Sequence, residues 1–580
     1  MSLLDTASLI VTPNAYKEGK LYSVIPSDGS GDFTFTRATT ATRVNSSGLV
    51  ELVPYNLLTY SEQLSNWTNI QFVTVTDNVE TAPNGTLTAS RINETAVTNV
   101  HRLFLNPTVS ANKHTYSVYL KAGTRNWAFL RLDGLSIDQR TWFDIQNGTI
   151  GTTSGDHTAT IEDAGNGWYR CSVSIAGTTY DTTPLAIIGL ATANGVFNYA
   201  GDVNEYIYAW GAQLVEGTNA LPYQKTETRL NIPRIDYSLG GCPNILLEPQ
   251  RTNLATYSEQ FDDASWNKIN SSVTANADIS PDGYTNADRI YDNATSGQHR
   301  VGKNISVVSA TTYTFSVFAK KGSLRYCYLF TVAGGASDRY YFDLQDGVSI
   351  TAGGKIEDYG SGWYRISAQV TAADTDNKLF AFNLTDSPSS ATYSGTGTGY
   401  HMIYGYQVEA GDYATSYIPT TTASVTRNYD IPSLTNIYTS GKLSASGGTW
   451  FTHLVNNVPR TRDSGGGVGL RLSNVAANNV FHISTPSGSN QRYWIRKIVG
   501  GANTDLYSTL TDEIKVAIKW NGSTADVFVN GVKVVAATAF TSVDLENLNV
   551  NNGNIPYYIS SMLLAPTPLT DDQLATLTTI

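Results

Sequence analysis

Apolar and polar residues alternate along most of this chain in short runs. In "TYSVYL" (Thr115 to Leu120) and "TYTFSVFAK" (Thr312 to Lys320), Tyr, Val, Phe and Leu occupy one parity while Ser and Thr fall mainly on the other. That period of two is the pattern of a strand with one face buried. Gly, Ser, Thr and Asn fill the gaps between runs. Helical periodicity is almost absent. The exception is the closing "PLTDDQLATLTTI", where Thr570 followed by Gln573 forms a capping-box pattern ahead of a short apolar helix. The pattern predicts an all-β protein.

The strand pattern is also written twice. "NLLTYSEQLSNW" from Asn56 returns as "NLATYSEQFDDASW" from Asn253, and "YSVYLKAG" (Tyr116 to Gly123) as "FSVFAKKG" (Phe315 to Gly322). "FDIQNG" (Phe143 to Gly148) returns as "FDLQDG" (Phe342 to Gly347), "IEDAGNGWYR" (Ile161 to Arg170) as "IEDYGSGWYR" (Ile356 to Arg365), and "GAQLVEG" (Gly211 to Gly217) as "GYQVEAG" (Gly405 to Gly411). The spacing between copies wanders by a few residues, as loop insertions on a shared strand framework produce. Two tandem jelly-roll β-sandwiches are expected, at 54–228 and 251–428.

The flanks read as further strands. Residues 33–50 form strand, turn and strand, with Gly48 suited to positive φ. Residues 229–250 form a connecting β segment around the turn Gly240 to Pro243. An N-terminal β-element, 1–53, is expected to be completed by 229–250, with the first module inserted between its halves. Residues 429–580 match neither copy. Their "KVAIKWNGSTADVFVNGVKVV" (Lys515 to Val535), with hairpin turns at Asn521-Gly522 and Asn530-Gly531, predicts a third β-sandwich. Gly465 to Gly467 read as a flexible turn.

Composition narrows the function. The net charge of -11 and the lack of a basic run argue against nucleic-acid binding. No apolar stretch approaches the ~20 residues needed to cross a bilayer, and the opening residues lack the regions of a signal peptide. The chain is therefore expected to be made and kept in a cytoplasm until released by another route. Cys171, Cys242 and Cys327 stand far apart, without CxxC, and read as small apolar groups.

Three stretches together resemble bacteriophage virion appendage proteins, the tail-fibre and head-fibre subunits: "FTFTRATTATRVNSSGLVE", "NIPRIDYSLGGCPNILLEPQRTNLATYSEQFDDASW" and "YQVEAGDYATSYIPTTTASVTRNYD". The repeated modules look like carbohydrate-binding jelly rolls. The last segment, with "FVNGVKV" and "LTDDQLATL", is similar to laminin-G or concanavalin-like lectin domains. In such proteins the hairpin commonly runs straight on to "PRIDY", whereas here the first repeat intervenes. The resemblance implies virion attachment through residues 1–53, contact with other virion proteins, a homotrimer, and binding of host cell-surface glycans.

Candidate chemistry is sparse. Trp67 and Trp266 end the repeated opening phrase; a ring there either stacks on a sugar or packs inside the sandwich. Trp168 and Trp363 are stronger core positions. Binding loops diverge between copies more readily than cores do, so Trp127 and Trp142, against Tyr326 and Tyr341, are the module-specific glycan candidates. Asp144 and Asp343, and the pairs Glu162-Asp163 and Glu357-Asp358, sit beside Gly where carboxylates cap turns. Paired at the right separation they could instead hydrolyse a glycoside, and the "IED" pairs could contribute to a Ca2+ site if other oxygen ligands joined them. The seven histidines show no metal-ligand spacing, and no GxSxG, P-loop or dinucleotide fingerprint is present. The expectation is a non-enzymatic glycan-binding virion protein with no catalytic residue, metal site or required cofactor. The rivals are a purely architectural decoration protein and a polysaccharide depolymerase.

Overall fold

The computed structural model describes residues 3–109, 113–133, 138–175, 183–444, 446–455, 469–484, 493–509, 511–540, 544–551 and 557–579. The alternating runs are strands, the fold is all-β, and helix is confined among the described residues to short pieces such as Leu3–Thr6 and Asp571–Thr578. Thr570 caps the latter, accepting from the Gln573 N–H while the Gln573 side chain accepts from the Thr570 N–H. The glycine run at 465–467 lies outside the described residues.

The chain divides into two compact units, Val53–Leu230 and a larger one joining Met1–Leu52 to Asn231–Ile580. The smaller unit is a sandwich of two six-stranded antiparallel sheets. One sheet runs, in spatial order, Thr149–Thr153, Arg140–Asp144, Trp127–Arg131, Ala186–Ala191, Arg102–Leu105 and Asn69–Gln71. The other runs His157–Gly165, Trp168–Ile175, His114–Ala122, Tyr206–Glu216, Leu87–Glu94 and Val73–Thr81. Between them lie the expected apolar parities, Tyr116, Val118 and Leu120 facing Ala128, Leu130 and Phe143.

The larger unit contains the second copy with its strands in the same order. Its first sheet contains His299–Val307, Asp376–Thr385, Tyr326–Thr331 and Asp338–Asp343, and its second is centred on Thr312–Lys321 and Tyr400–Ala410. Tyr313, Phe315 and Val317 pack there against Cys327, Leu329 and Phe342.

The repeated phrases have structural duties. Asn56 is fully buried: its amide donates to the carbonyls of Ala212 and Gln224, and its Oδ1 accepts from the Leu58 and Leu214 N–H groups at 3.1 and 3.2 Å. Asn253 repeats this bond for bond with Tyr406, Ile418, Ala255 and Val408. Each opening asparagine therefore stitches the first segment of its module to the last. The "KAG" and "KKG" glycines are needed because a Cβ on Gly123 or Gly322 would stand 2.4 Å from the ring of Tyr206 or Tyr400. Gly211 and Gly405, at φ of 63° and 62°, lie in the one-residue bulge by which their own strand shifts register against its neighbour in each copy.

The third sandwich pairs a nine-stranded with an eight-stranded sheet and draws on both ends of the chain. Leu9–Val11 pairs with Tyr557–Ala565, Phe33–Thr36 with Ile431–Leu434, and the hairpin of Arg234–Asp236 and Asn244–Leu247 adds to Tyr557–Ala565. Within the expected anchoring element, Leu9–Val11, Phe33–Thr36, Arg234–Asp236 and Asn244–Leu247 are thus strands of this sandwich, burying Leu9, Val11, Phe33, Phe35 and Ile245 beside Trp450 and Trp520, whereas Ala41–Val44 and Val50–Val53 pair with each other in a two-stranded sheet. Strands of three or four residues cannot bury an apolar face alone, and the C-terminal sheets supply the missing partner.

A charged knot joins these pieces. Arg37 Nη1 donates to Asp430 Oδ1 at 2.6 Å, Arg234 donates to Asp430 Oδ2 and, at 2.7 Å, to Glu248 Oε2, and Arg427 Nη1 lies 2.9 Å from Glu248. All five side chains are 4% exposed or less. Arg37 comes from "FTRATT", Arg234 from "PRIDY", Glu248 from "LLEPQ", and Arg427 and Asp430 from "VTRNYD". The most recognisable residues of the chain are therefore a buried lock rather than a ligand site.

One histidine makes stability depend on pH. His401 is wholly buried; its Nδ1 accepts from the Gly322 N–H at 3.3 Å and its Nε2 lies 2.9 Å from the Tyr326 carbonyl, a pair of contacts suited to the neutral ring. Burial pushes its pKa down to about 4, against the hydrogen bond to Tyr326. The native state then refuses a proton that the unfolded chain takes at about 6.5, so stability is intact above that pH and declines as pH falls toward 4. Urea titrations between pH 7.5 and 5 are expected to show His401→Gln losing about 2 kcal/mol less than the parent protein over that range.

Candidate functional site

The strands of the first sheet in each module carry large side chains on both parities. In "WAFLR", Ala128 and Leu130 enter the core between the sheets, whereas Trp127 and Phe129 belong to a separate cluster with Trp142, Phe104, Ile187 and Phe197. In "YCYLF", Cys327 and Leu329 enter the core while Tyr328 and Phe330 join Tyr341, Leu379 and Ala381. An outer sheet face that meets only water reads as polar. These two outer faces are aromatic.

Sheet register makes the faces equivalent. Arg102, Gly189, Phe129 and Trp142 form one row across four strands of the first module. Arg300, Asn383, Tyr328 and Tyr341 form the same row in the second. Arg140 stacks on Phe197 with its guanidinium 3.8 Å from the ring centroid, and Phe129 and Trp142 lie 6.0 Å apart. The indole N–H of Trp142 donates to the Val196 carbonyl at 3.3 Å. In the second module Tyr328 and Tyr341 are 5.0 Å apart, and Tyr328 donates to the Ala391 carbonyl at 3.0 Å. A loop from residues 192–198 or 386–392 thus buttresses each face. Gly189 and Asn383 mark where the copies part: a Cβ on Gly189 would stand 2.1 Å from the Phe129 ring, so Phe129 fills the place an amide takes in the second module.

The six aromatic candidates fall into two groups. Trp127 with Trp142, and Tyr326 with Tyr341, share the outer faces; Trp127 and Tyr326 are partly exposed, while Trp142 and Tyr341 are 7% and 9% exposed. Trp67 and Trp266 stand elsewhere. Both are buried in the intersheet cores, Trp266 between Phe261, Tyr406 and the Lys303 ammonium, 4.8 Å from its ring. A ring enclosed on both faces has none left for a sugar, so these two are corrected to packing residues. Trp168 and Trp363, expected in the cores, are buried instead in separate clusters with Trp210 and with Phe318, and donate to the Thr81 and Ile279 carbonyls.

The repeated carboxylates serve turns. Asp144 accepts from the N–H groups of Gln146 and Asn147, and Asp343 from those of Gln345 and Asp346. Asp163 and Asp358 accept from Gly165 and Gly360, both at 2.8 Å. Among the described residues, no group of three or more His, Cys, Asp and Glu is placed to hold a metal ion. The sequence reading missed the arginines Arg102, Arg140, Arg300 and Arg339 and the amide of Asn383. Arg102, Arg140 and Arg339 each stand two residues from an aromatic on the same strand face, Phe104, Trp142 and Tyr341, whereas Arg300 and Asn383 are placed only by register.

A cavity of about 620 Å3 also opens in the larger unit, bounded by Arg43, Asp236, Lys355, Tyr359, Tyr417 and Tyr558 among others. Its charges are spent internally. Arg43 pairs with Glu51 and Lys355 with Glu357, both at 2.7 Å, and Asp236 accepts from the Val44 and Ser238 N–H groups.

No protein-family model matches the sequence, and no curated protein matches it. Solved structures do align. Domain 4 of an extracellular GH43 arabinanase from Geobacillus stearothermophilus, in complex with arabinotriose, aligns over 29% of this chain and 82% of its own at 12% identity, with a TM-score of 0.21. The tandem CBM22 domain of Paenibacillus barcinonensis Xyn10C aligns over 61% and 97% at 13% identity and 0.22. A Trypanosoma rangeli sialidase in complex with sialic acid aligns over 94% and 98% at 10% identity and 0.20. Similarity at this level assigns neither a ligand nor an activity. One expectation is nonetheless corrected: with an arabinanase domain and a sialidase among the aligned structures, the absence of a sequence motif does not make this chain a non-enzyme.

Proposed function

We propose that the chain is a subunit of a bacteriophage virion appendage, a tail or head fibre, that holds host cell-surface glycans on the outer faces of its two jelly-roll modules. The observation that carries this reading is the repeated aromatic and arginine row, built at equivalent register in both modules and not required by either intersheet core. Aromatic rings supply the flat apolar surface that a sugar ring covers, and guanidinium groups supply fixed donors for its hydroxyls. The virion setting rests on the resemblance of the hairpin, "PRIDY" and "VTRNYD" stretches, whose arginines and carboxylates form the buried lock. On this reading the C-terminal sandwich is a lectin-like domain, and a homotrimer multiplies weak sites through avidity.

The test is binding of the whole chain to an array of bacterial surface polysaccharides. Retention of the parent protein, and its loss when Trp127 and Tyr326 are both replaced by alanine, is the expected result. Equal retention of the parent and the double variant would contradict it.

A further inference from the structure

Arginines gather on the two outer faces of a chain whose net charge is -11, while Asp144 and Asp343 stand opposite Trp127 and Tyr326 in register and Asp343 is paired with Arg325 at 2.6 Å. In the second module Arg300 and Arg339 flank Phe330, their guanidinium carbons 5.6 and 5.4 Å from its centroid. Arg300 donates to the Gln298 side chain at 2.7 Å and Arg339 to the Ser337 carbonyl at 3.4 Å. Among the described residues, neither forms an ion pair. In the first module Arg102, Arg131 and Arg140 face two carboxylates, Asp133 and Asp138. Arg131 bonds both, Arg140 bonds Asp138, and Arg102 is left with the Gln71 side chain at 3.0 Å.

Arg102 and Arg300 hold the same register position, opposite Gly189 and Asn383. Burial lowers the pKa of both, and the charges of Arg131 and Arg140 lower that of Arg102 further. Beside Arg300, Asn383 is fully buried with both amide atoms lacking a hydrogen-bond partner. A partly desolvated cation without a counter-ion costs stability, as does an unsatisfied amide. An arginine without a carboxylate partner nevertheless holds the same register position on the aromatic face of both copies.

We infer that the missing counter-ion belongs to the ligand: each outer face takes an acidic glycan, seating a carboxylate, phosphate or sulfate group against Arg102 or Arg300 and the adjoining sugar ring against Trp127 or Tyr326. This rests on the glycan-binding reading above and adds the ligand's charge to it. A charge-assisted contact is about twice as strong as a neutral one and is screened by salt. Binding is therefore set by the acid group and weakens with ionic strength.

The experiment titrates the whole chain with matched probes: tetragalacturonate against its methyl ester, trisialic acid against its carboxyl-reduced form, and a phosphorylated oligosaccharide against its dephosphorylated form. Fifteen-residue oligo-dT serves as a non-glycan polyanion. At least one acidic probe is expected to bind about tenfold or more tightly than its neutral partner. In an Arg102→Gln, Arg300→Gln variant with unchanged circular dichroism, that ratio is expected to fall to near one, and lysine at both positions to restore part of it. Equal affinity within every pair, or a preference that survives the glutamine variant, overturns the charge assignment while leaving glycan binding standing. Competition by oligo-dT overturns it in favour of a general polyanion surface. Silence from every probe of either charge overturns the charge assignment and the glycan-binding reading together.

Discussion

Replacing Asp430 with alanine is expected to remove about 3–5 kcal/mol from the stability of the larger unit, as breaking a buried ion pair from one side does. Asp430 accepts from Arg37 and from Arg234, all three side chains have no exposed surface, and its Oδ2 also accepts from the Glu248 N–H at 2.9 Å. Its loss leaves Arg37 without a counter-ion and Arg234 with Glu248 alone, two buried guanidinium groups from either side of the inserted module. Urea titration followed by tryptophan fluorescence measures the change. The control is Lys378→Ala, which breaks a pair with the exposed carboxylates of Asp374 and Asp376 and is expected to change stability little. An Asp430→Ala loss no larger than that control would mean the knot is not the lock it looks to be. Acid should pick it open as well. Although burial opposes it, Arg427 and Arg234 hold the Glu248 pKa down to about 2. The Glu248 contribution is therefore present above the ordinary carboxylate pKa and is lost as pH falls through about 2.

The second large effect concerns binding. The variant Trp127→Ala, Tyr326→Ala is expected to lower the apparent affinity for an immobilised host polysaccharide about a hundredfold or more, while either single change costs roughly tenfold. The asymmetry follows from linkage: with one face intact, the chain remains tethered and its avidity is only partly lost. Both residues are partly exposed and sit outside the intersheet cores, so the variant keeps its fold. Surface plasmon resonance gives the ratio, and a double variant no weaker than either single one would remove the two-face account.

The sandwiches could be read from the chain because a half-buried strand repeats every two residues, and a duplicated fold repeats its buried positions. Tyr116 and Phe315, or Asn56 and Asn253, recur because each occupies the same packed place. The destination of Leu9–Val11 and Phe33–Thr36 was not legible: pairing over more than 390 residues leaves no local trace in a short apolar run. The candidate faces were half legible. Divergence between copies pointed to Trp127, Trp142, Tyr326 and Tyr341, whereas Trp67 and Trp266 look the same in sequence whether they stack on sugar or on Phe261. The arginines escaped because a lone Arg in a strand usually faces water. Only the register, which sets Arg300 beside Asn383 and Tyr328, shows that these residues cover an aromatic face.

The central claim is that one chain carries two equivalent glycan-binding faces, and stoichiometry tests it most directly. Isothermal titration with a short oligosaccharide from the host surface is predicted to give two sites per parent chain, one for Trp127→Ala, one for Tyr326→Ala and none for the pair. A stoichiometry left unchanged by both substitutions would contradict it.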